Sequence, residues 1–467
     1  MVMGELPERS DVVVVGGGPG GYSAAFRAAQ LGLDVTLVSD EDRLGGVCLL
    51  RGCIPSKALL EVVEIMRRAD ELADWGVDFA DRQTDVGRLR ERTEEVVAAM
   101  TGGLEQIAKH HGIRRVRGRG RFVGGDRLRV SGDDGSTTIS FGHAIVAAGS
   151  RPTPLPDVSF GDRIMDSTAA LELHEVPERL LVVGGGYVGL ELGTVYAGLG
   201  SRVTVVEATD QLLPGVDADL VAPLQKHLDD VFDAIHLEST IEDIDVGESG
   251  ITARFGDENS HEFDSALVAV GRRPNTDALG IEETSVELDD DGFIVVDEHR
   301  RSTDRKIYAV GDIAGGNLLA HEAFREGEVA AEAIAGVSSA FDARAVPAVV
   351  YTDPQVAWCG ITEREAAAQD REVEVATFPW RASGRALTME AGGGLTKLIA
   401  DPGSGRLLGV GIVGRGAESL ISEGVLAIEM GAVITDLALT VHPHPTLSES
   451  LNEAAARLIG QPRHLAR

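Results

Sequence analysis

Unbroken apolar runs, not alternating ones, mark the first strand of this chain. Asp11-Val12-Val13-Val14-Val15 places four valines in succession, the pattern of a strand covered on both faces in a parallel sheet. Gly16-x-Gly18-x-x-Gly21 follows at once, then an alanine-rich stretch from Tyr22 to Leu31 that predicts a helix, then a second strand over Asp34 to Val38. In that order, a strand, glycine loop and helix predict a phosphate-binding turn. The glycines let backbone N–H groups close on phosphate oxygens at the positive end of the helix. A glycine turn that serves packing alone is the competing reading. Residues 58–115 read as mainly helical, with Leu59, Val62, Val63 and Met66 at helical spacing, and short strands alternate with turns near 117–140, one of them Gly132-Asp133-Asp134-Gly135.

The opening pattern then returns. Leu181-Val182-Val183 is a strand, Gly184-x-Gly186-x-x-Gly189 the loop, Leu190 onward a helix, and Val203 to Val206 the next strand. Gly184 to Glu207 spans 23 residues (207 − 184), as does Gly16 to Ser39 (39 − 16). Two such units imply two dinucleotides in one chain. Glu207 can accept hydrogen bonds from both ribose hydroxyls, and no arginine follows to meet a 2′-phosphate, which favours NAD over NADP. A solvated strand end is the plain alternative for Glu207. In the first unit the matching position is Ser39, followed by Asp40 and Glu41. That ribose contact is either lost or shifted to a neighbour.

Cysteine usage changes the picture further. The chain has three cysteines, and Cys48 and Cys53 lie five positions apart in Gly45-Gly46-Val47-Cys48-Leu49-Leu50-Arg51-Gly52-Cys53-Ile54-Pro55-Ser56-Lys57. This is neither a stapled secreted scaffold nor the four-ligand set of a structural zinc site. A close pair in a cysteine-poor protein reads as redox chemistry, against the alternative of two unpaired core thiols. On a straight helix five residues rise about 7.5 Å, so a bridge between them needs an irregular turn, which Gly45, Gly46 and Gly52 permit. Cys359 sits in an apolar run and reads as a buried, inert thiol.

Composition excludes some function classes. A net charge of −32 over 467 residues argues against nucleic acid as a partner. The lysines are confined to positions 57, 109, 226, 306 and 397, and the other basic residues are arginines. An acidic, lysine-poor surface repels itself in dilute buffer and is screened at molar salt, so a salt-adapted, halophilic cytoplasm is expected. The N-terminal segment lacks a basic region followed by an apolar core, and no apolar run approaches the ~20 residues that span a bilayer, so no secretory signal and no membrane association are expected.

The segment from Gly45 to Lys57 resembles the redox-active motif of the class I pyridine nucleotide–disulfide oxidoreductases, most closely in the branch that oxidises dihydrolipoyl groups. Leu50 and Arg51 depart from the family's usual Asn and small apolar residue. His143 to Pro152 is similar to the element that closes the first flavin half, with Ala148 for the usual Thr. Ala266 to Asn275 resembles a second return crossing. Ile307-Tyr308-Ala309-Val310-Gly311-Asp312 resembles the second FAD fingerprint, and Leu319-Ala320-His321-Glu322-Ala323 opens the helix under the flavin ring. Pro347 to Pro354 resembles the start of the interface domain. His442-Pro443-His444-Pro445-Thr446-Leu447-Ser448-Glu449 is similar to the catalytic histidine motif.

The resemblance implies an α/β chain with two Rossmann-like dinucleotide-binding domains, for FAD and NAD, and a C-terminal α+β dimerisation domain. Expected boundaries are 1–152 for the first FAD part with the redox disulfide, 153–275 for NAD, 276–345 for the second FAD part and 346–467 for the interface. It implies catalytic roles for Cys48, Cys53, His444, Glu449, Lys57 and Glu191. FAD would meet Gly16, Gly18, Gly21, Ser39, Asp40, Lys57, Gly149, Gly311, Asp312 and Ala320. NAD would meet Gly184, Gly186, Tyr187, Gly189, Glu207 and Gly271. Glu191 would pair with Lys57, although a surface helix position is its ordinary alternative, and Tyr187 would stand beside the nicotinamide or simply pack. His442 reads as structural, and with no third ligand near the two histidines no metal is expected. The implied reaction is oxidation of dihydrolipoyl groups by NAD through FAD and a Cys48–Cys53 disulfide, with His444 serving the other subunit of a homodimer. A lipoyl-bearing carrier or a 2-oxoacid dehydrogenase complex is the expected partner. The alternatives are another NAD(P)H-dependent disulfide or thiol reductase of the family, and a docking subunit with little turnover of its own.

Overall fold

The computed structural model describes residues 8–79, 83–133, 135–256 and 259–465. The N-terminal segment before Glu8, Asp134 of the expected turn and the last two residues therefore lie outside the described residues. Contacts divide the chain into two compact units. One comprises Met1–Ala58, Asp85–Thr153 and Gly271–Asp342; the other comprises Leu59–Thr84, Pro154–Val270 and Ala343–Arg467.

The first unit is built on the valine strand. Glu8–Val15 pairs in parallel with Val35–Ser39 on one side and Gly135–Val146 on the other. Arg114–Arg117 extends the sheet beyond Val35–Ser39. Gly135–Val146 changes neighbours along its length: Leu128 lies opposite Ile139 in an antiparallel pair, and Ile307 opposite Ala144 in a parallel one. Val12 and Val14 pack with Ala24, Ala25, Ala28 and Leu37. Val13 and Val15 pack with Phe122, Leu128, Val146 and Ile313. Successive side chains point to opposite faces of a strand, so burying both faces needs a run with no polar break.

The helix after the first glycine loop is Pro19–Gln30, three residues earlier than the alanine pattern predicts. Pro19 suits the first turn, where its missing N–H costs nothing, and Gly20 and Gly21 already belong to the helix. The second repeat shows the same shift, with the helix running Tyr187–Gly198 and Gly189 inside it.

The second unit carries the repeat as a five-stranded parallel sheet, in the order Ala234–His236, Arg202–Val206, Arg179–Val183, Ser265–Val268, Ile164–Met165. It also holds an antiparallel five-stranded sheet in the order Ala348–Val350, Val356–Gly360, Leu407–Val413, Leu395–Ala400, Glu374–Pro379. Fully buried Trp380 fills the core of that sheet and donates its indole N–H to Thr396 Oγ1 at 2.9 Å. Cys359 lies in the same core, and burial pushes its thiol up to about 12. That agrees with an inert thiol.

Candidate active site

Cys48 and Cys53 form a disulfide. Cys48 lies in a short helix, Gly46–Arg51, and Cys53 opens the long helix Cys53–Glu71. Gly52, at φ −146° and ψ −109°, breaks the chain between them. The break brings the two Cα atoms to 4.7 Å, against about 7.5 Å on a straight helix. A Cβ on Gly52 would stand 2.8 Å from the Val47 carbonyl oxygen. Cys53 sits at the positive end of a 19-residue helix, which favours its thiolate once the bridge opens. Lys57 follows one turn later and is half-buried.

The disulfide segment rests on the first glycine loop. Gly45 N–H donates to the Gly17 carbonyl at 2.8 Å. Gly46 adopts φ +59°, and a Cβ there would lie 2.5 Å from Gly18 Cα. The loop itself is made in the same way in both repeats. Gly16 N–H donates to Val38 O at 2.8 Å and Gly184 N–H to Val206 O at 2.9 Å. A Cβ on Gly16 would meet Ala147 O at 2.1 Å, and one on Gly184 would meet Ala269 O at 2.4 Å. A Cβ on Gly21 or Gly189 would meet the carbonyl of Gly16 or Gly184. These glycines are fixed by packing.

Gly18 and Gly186 differ from them. Both have φ −77°. A Cβ at Gly18 would find nothing closer than Gly46 Cα at 3.8 Å, and at Gly186 nothing within 4 Å. Neither strain nor a neighbour calls for glycine at either position. Room in front of a helix N-terminus does, and that room fits a pyrophosphate at both loops.

The two repeats part at the ribose position. Glu207 is buried; its Oε2 accepts from Gly185 N–H at 2.6 Å and its Oε1 from Thr209 N–H and Oγ1 at 2.8 Å each. It is not a solvated strand end. Oε2, with one bond made, keeps a second lone pair for a ribose hydroxyl. In the first repeat Ser39 Oγ accepts from Glu41 N–H at 3.2 Å. Asp40 turns outward to Arg119 at 3.1 Å, and Glu41 pairs with Arg51 of the disulfide segment.

The strand end Ile307–Ala309 carries Gly311 and Asp312 to the same C-terminal edge of the sheet that Gly16 leaves, since Val15 and Ala309 both register with Val146. Asp312 Oδ2 accepts from Ser150 Oγ at 2.5 Å. Arg272 donates to Ser150 Oγ at 2.7 Å and to its carbonyl at 2.8 Å, and lies 3.8 Å from Asp312. Gly149 and Gly271 flank the antiparallel pair Ser150–Pro152 and Arg272–Pro274, so Gly271 groups with the first unit. Both have positive φ, and a Cβ at either would meet nothing. Ala320 is the first residue of the helix Ala320–Ile334. Sequence reasoning missed Ser150, Arg272 and Thr209. Each is an ordinary polar residue until folding sets it against a residue named above.

In the second unit, Glu191 is 3% exposed and its Oε1 accepts from Tyr351 N–H at 2.9 Å. The surface-helix alternative for it therefore fails. Tyr187 opens its helix and is exposed. His444 is exposed, and its Nδ1 lies 2.9 Å from Glu449 Oε1. Thr446 N–H donates to Glu449 Oε2 at 2.8 Å. Partial burial opposes ionisation of Glu449, but the Thr446 N–H and the His444 ring outweigh it and hold its pKa below the usual value. His442 has a buried side chain held between Glu423 at 2.8 Å and the Thr440 carbonyl at 3.1 Å, a structural placement. Asp217, Asp219 and Glu363 converge closely enough for a metal ion, but the Lys397 ammonium lies among them.

Comparison with known proteins gives a consistent answer. Residues 10–327 match the pyridine nucleotide-disulphide oxidoreductase family, and residues 346–455 match its dimerisation domain. A dihydrolipoyl dehydrogenase from Vibrio parahaemolyticus is 48% identical over 96% of this chain and 95% of its own length. One from Halobacterium salinarum is 45% identical over 99% of both. Among solved structures, the crystal structure of LpdA from Mycobacterium tuberculosis aligns with a TM-score of 0.88 at 28% identity, covering 97% of this chain and 99% of that one. The HOCl-induced flavoprotein disulfide reductase RclA from Escherichia coli aligns at 0.85 with 27% identity, covering 96% of this chain and 99% of that one.

Proposed function

The chain belongs to the pyridine nucleotide-disulphide oxidoreductase family, and from that premise we propose that it oxidises dihydrolipoyl groups to lipoyl disulfide while NAD is reduced to NADH. The observation that carries this reading is the Cys48–Cys53 disulfide seated by Gly45 and Gly46 on the first glycine loop. FAD, bound at the first repeat, supplies the two-electron link between a dithiol and a nicotinamide. Gly16, Gly18, Gly21 and Asp312 would hold it. Gly184, Gly186, Gly189 and Glu207 would hold NAD.

The chain's own residues carry the thiol chemistry. With Nδ1 engaged by Glu449, His444 takes the proton of a substrate thiol at Nε2. The substrate thiolate attacks Cys48 Sγ. A bond forms to Cys48, the Cys48–Cys53 bond breaks, and the electron pair leaves on Cys53 Sγ. The second substrate thiol then displaces Cys48. The lipoyl disulfide departs; His444 passes the first proton to the leaving Cys48 sulfur and takes up the proton of the second thiol, so the two substrate protons end on Cys48 and His444 and the electron pair on Cys53. The helix N-terminus under Cys53 and the ammonium of Lys57, one turn later on the same helix, favour the Cys53 thiolate.

The domain division follows this assignment: residues 1–152 and 276–345 bind FAD, the expected NAD segment 153–275 ends at Val270 because 271–275 group with the first unit, and 346–467 form the interface. Exposed Leu426, Met430, Leu439 and Val441 fall within the stretch that matches the dimerisation domain. Apolar side chains left in water over such a stretch support a homodimer, in which His444 serves the partner's disulfide. Among the described residues no helix is long and apolar enough to cross a membrane. The reading places the enzyme in the cytoplasm, beside a lipoyl-bearing carrier protein or a 2-oxoacid dehydrogenase complex. A substrate panel tests it. Dihydrolipoamide and a lipoylated carrier should turn over with NAD and far less with NADP; faster turnover of glutathione disulfide with NADPH would overturn it.

A further inference from the structure

Glu326 is a buried carboxylate that none of the chemistry above uses. It projects from the helix Ala320–Ile334 and is 1% exposed. Its Oε2 accepts from the Gly311 N–H at 2.5 Å, and its Oε1 pairs with the Arg300 guanidinium. Arg300 is itself fixed. Its side chain is largely buried and lies over the Phe341 ring at 5.1 Å, and its carbonyl accepts from Ala309 N–H at 3.0 Å. One carboxylate thus ties together both flanks of the turn from Ala309 to Gly311. Gly311 holds φ +71°, and the next residue is Asp312.

We propose that Glu326 is a proton-linked positioning residue for FAD: ionised, it locks the Gly311 peptide and so fixes Asp312 toward the flavin; neutral, it loosens that turn. The inference rests on the flavin reading given above. A hydrogen bond to an ionised acceptor is roughly twice as strong as a neutral one. Protonation would therefore weaken the hold on Gly311 N–H and leave Arg300 without its counter-charge.

The charged groups facing Glu326 are Arg300, Glu322 and Asp312. Burial raises its pKa to about 7, with the two carboxylates adding to the rise and Arg300 and the Gly311 N–H opposing it. The locked form therefore prevails above neutrality and declines as pH falls through it.

The test is flavin release from the purified holoenzyme, followed by free-flavin fluorescence. Release should quicken about fivefold between about pH 8.5 and 5.5, with its midpoint near neutrality. In Glu326→Gln the side-chain amide donor faces Arg300, so release should be fast at every pH. Glu326→Asp keeps the charge but not the reach and should fall between the two. Glu328→Gln, at a half-buried position on the same helix away from Arg300 and Gly311, should keep the parent profile. A pH-independent parent, or an E326Q that matches the parent throughout, overturns the positioning role alone. A parent that binds no FAD removes the flavin reading and this inference with it.

Discussion

A methyl group on Gly52 would collide with the Val47 carbonyl, whereas one on Gly186 would enter empty space. The two glycines therefore fail in different ways. Gly52→Ala should close the break between the two helices and lower the fraction of protein with a formed disulfide, read by thiol titration under native conditions. Gly186→Ala should leave the fold and the flavin in place. It should raise KM for NAD by about tenfold, equivalent to ~1.4 kcal/mol, because its Cβ takes room meant for a pyrophosphate. Glu449→Gln should lower kcat about 100-fold with dihydrolipoamide, since the imidazolium loses its carboxylate. Stability follows a definite sign here. The Glu449 pKa is lowered by folding, so its contribution is present in full above the ordinary carboxylate range and is lost as pH falls through the lowered value. An E449Q protein should lack that part of the acid destabilisation, measured by thermal melts across the acid range. At this scale the sequence showed the residues whose type is unusual for their place: the glycines, the cysteine pair and His444. It did not show Ser150, Arg272 or Glu326. Ser150 and Asp312 are 162 residues apart, and Glu326 looks like any helix glutamate until folding buries it.

Strands and loops are legible in the sequence because their cause is local. Four valines need two covered faces wherever they are placed, and a glycine loop follows directly on each parallel strand. Helix starts are not legible to the residue because Gly20, Gly21 and Gly189 look like loop residues, yet close packing against the strand winds them into the first turn. Long-range ties between elements were not legible. Lys397 is the clearest case. It is 1% exposed on the strand Leu395–Ala400 and reaches Asp217 at 3.0 Å and Asp219 at 2.5 Å, with Glu363 also in contact. Asp217 in turn accepts from the Glu363 and Arg364 N–H groups. One ammonium thereby joins a strand to the starts of two helices, Ala218–Val231 and Glu363–Ala368. Burial opposes its charge, but its three carboxylate partners outweigh that and raise its pKa. Lys397→Met should destabilise the protein by about 3 kcal/mol, read from urea unfolding, because it strands the buried Asp217 charge.

The whole molecule is governed by its charge. Lys57 and Lys397 are not free surface charges, so the exposed basic side chains are almost all arginines set against a net charge of −32. At about 0.1 M salt the Debye length is near 10 Å, and at 1 M near 3 Å. Self-repulsion should therefore fall steeply with KCl, and both melting temperature and activity should rise; a flat response would remove the salt-adaptation reading. Composition made this legible, and the repeat made the two-nucleotide plan legible. Composition could not reveal which apolar residues stay exposed, since Leu439 and Val441 look like core residues in the sequence. Turnover depends on electrons entering through Cys48 and Cys53, and alkylation of native protein followed by peptide mass analysis tests that directly. Neither cysteine should react at rest, both should react after dihydrolipoamide, and NAD added before the alkylating reagent should protect both again. Unchanged labelling of the Cys48–Cys53 peptide under all three conditions, while dihydrolipoamide is still consumed, would contradict it.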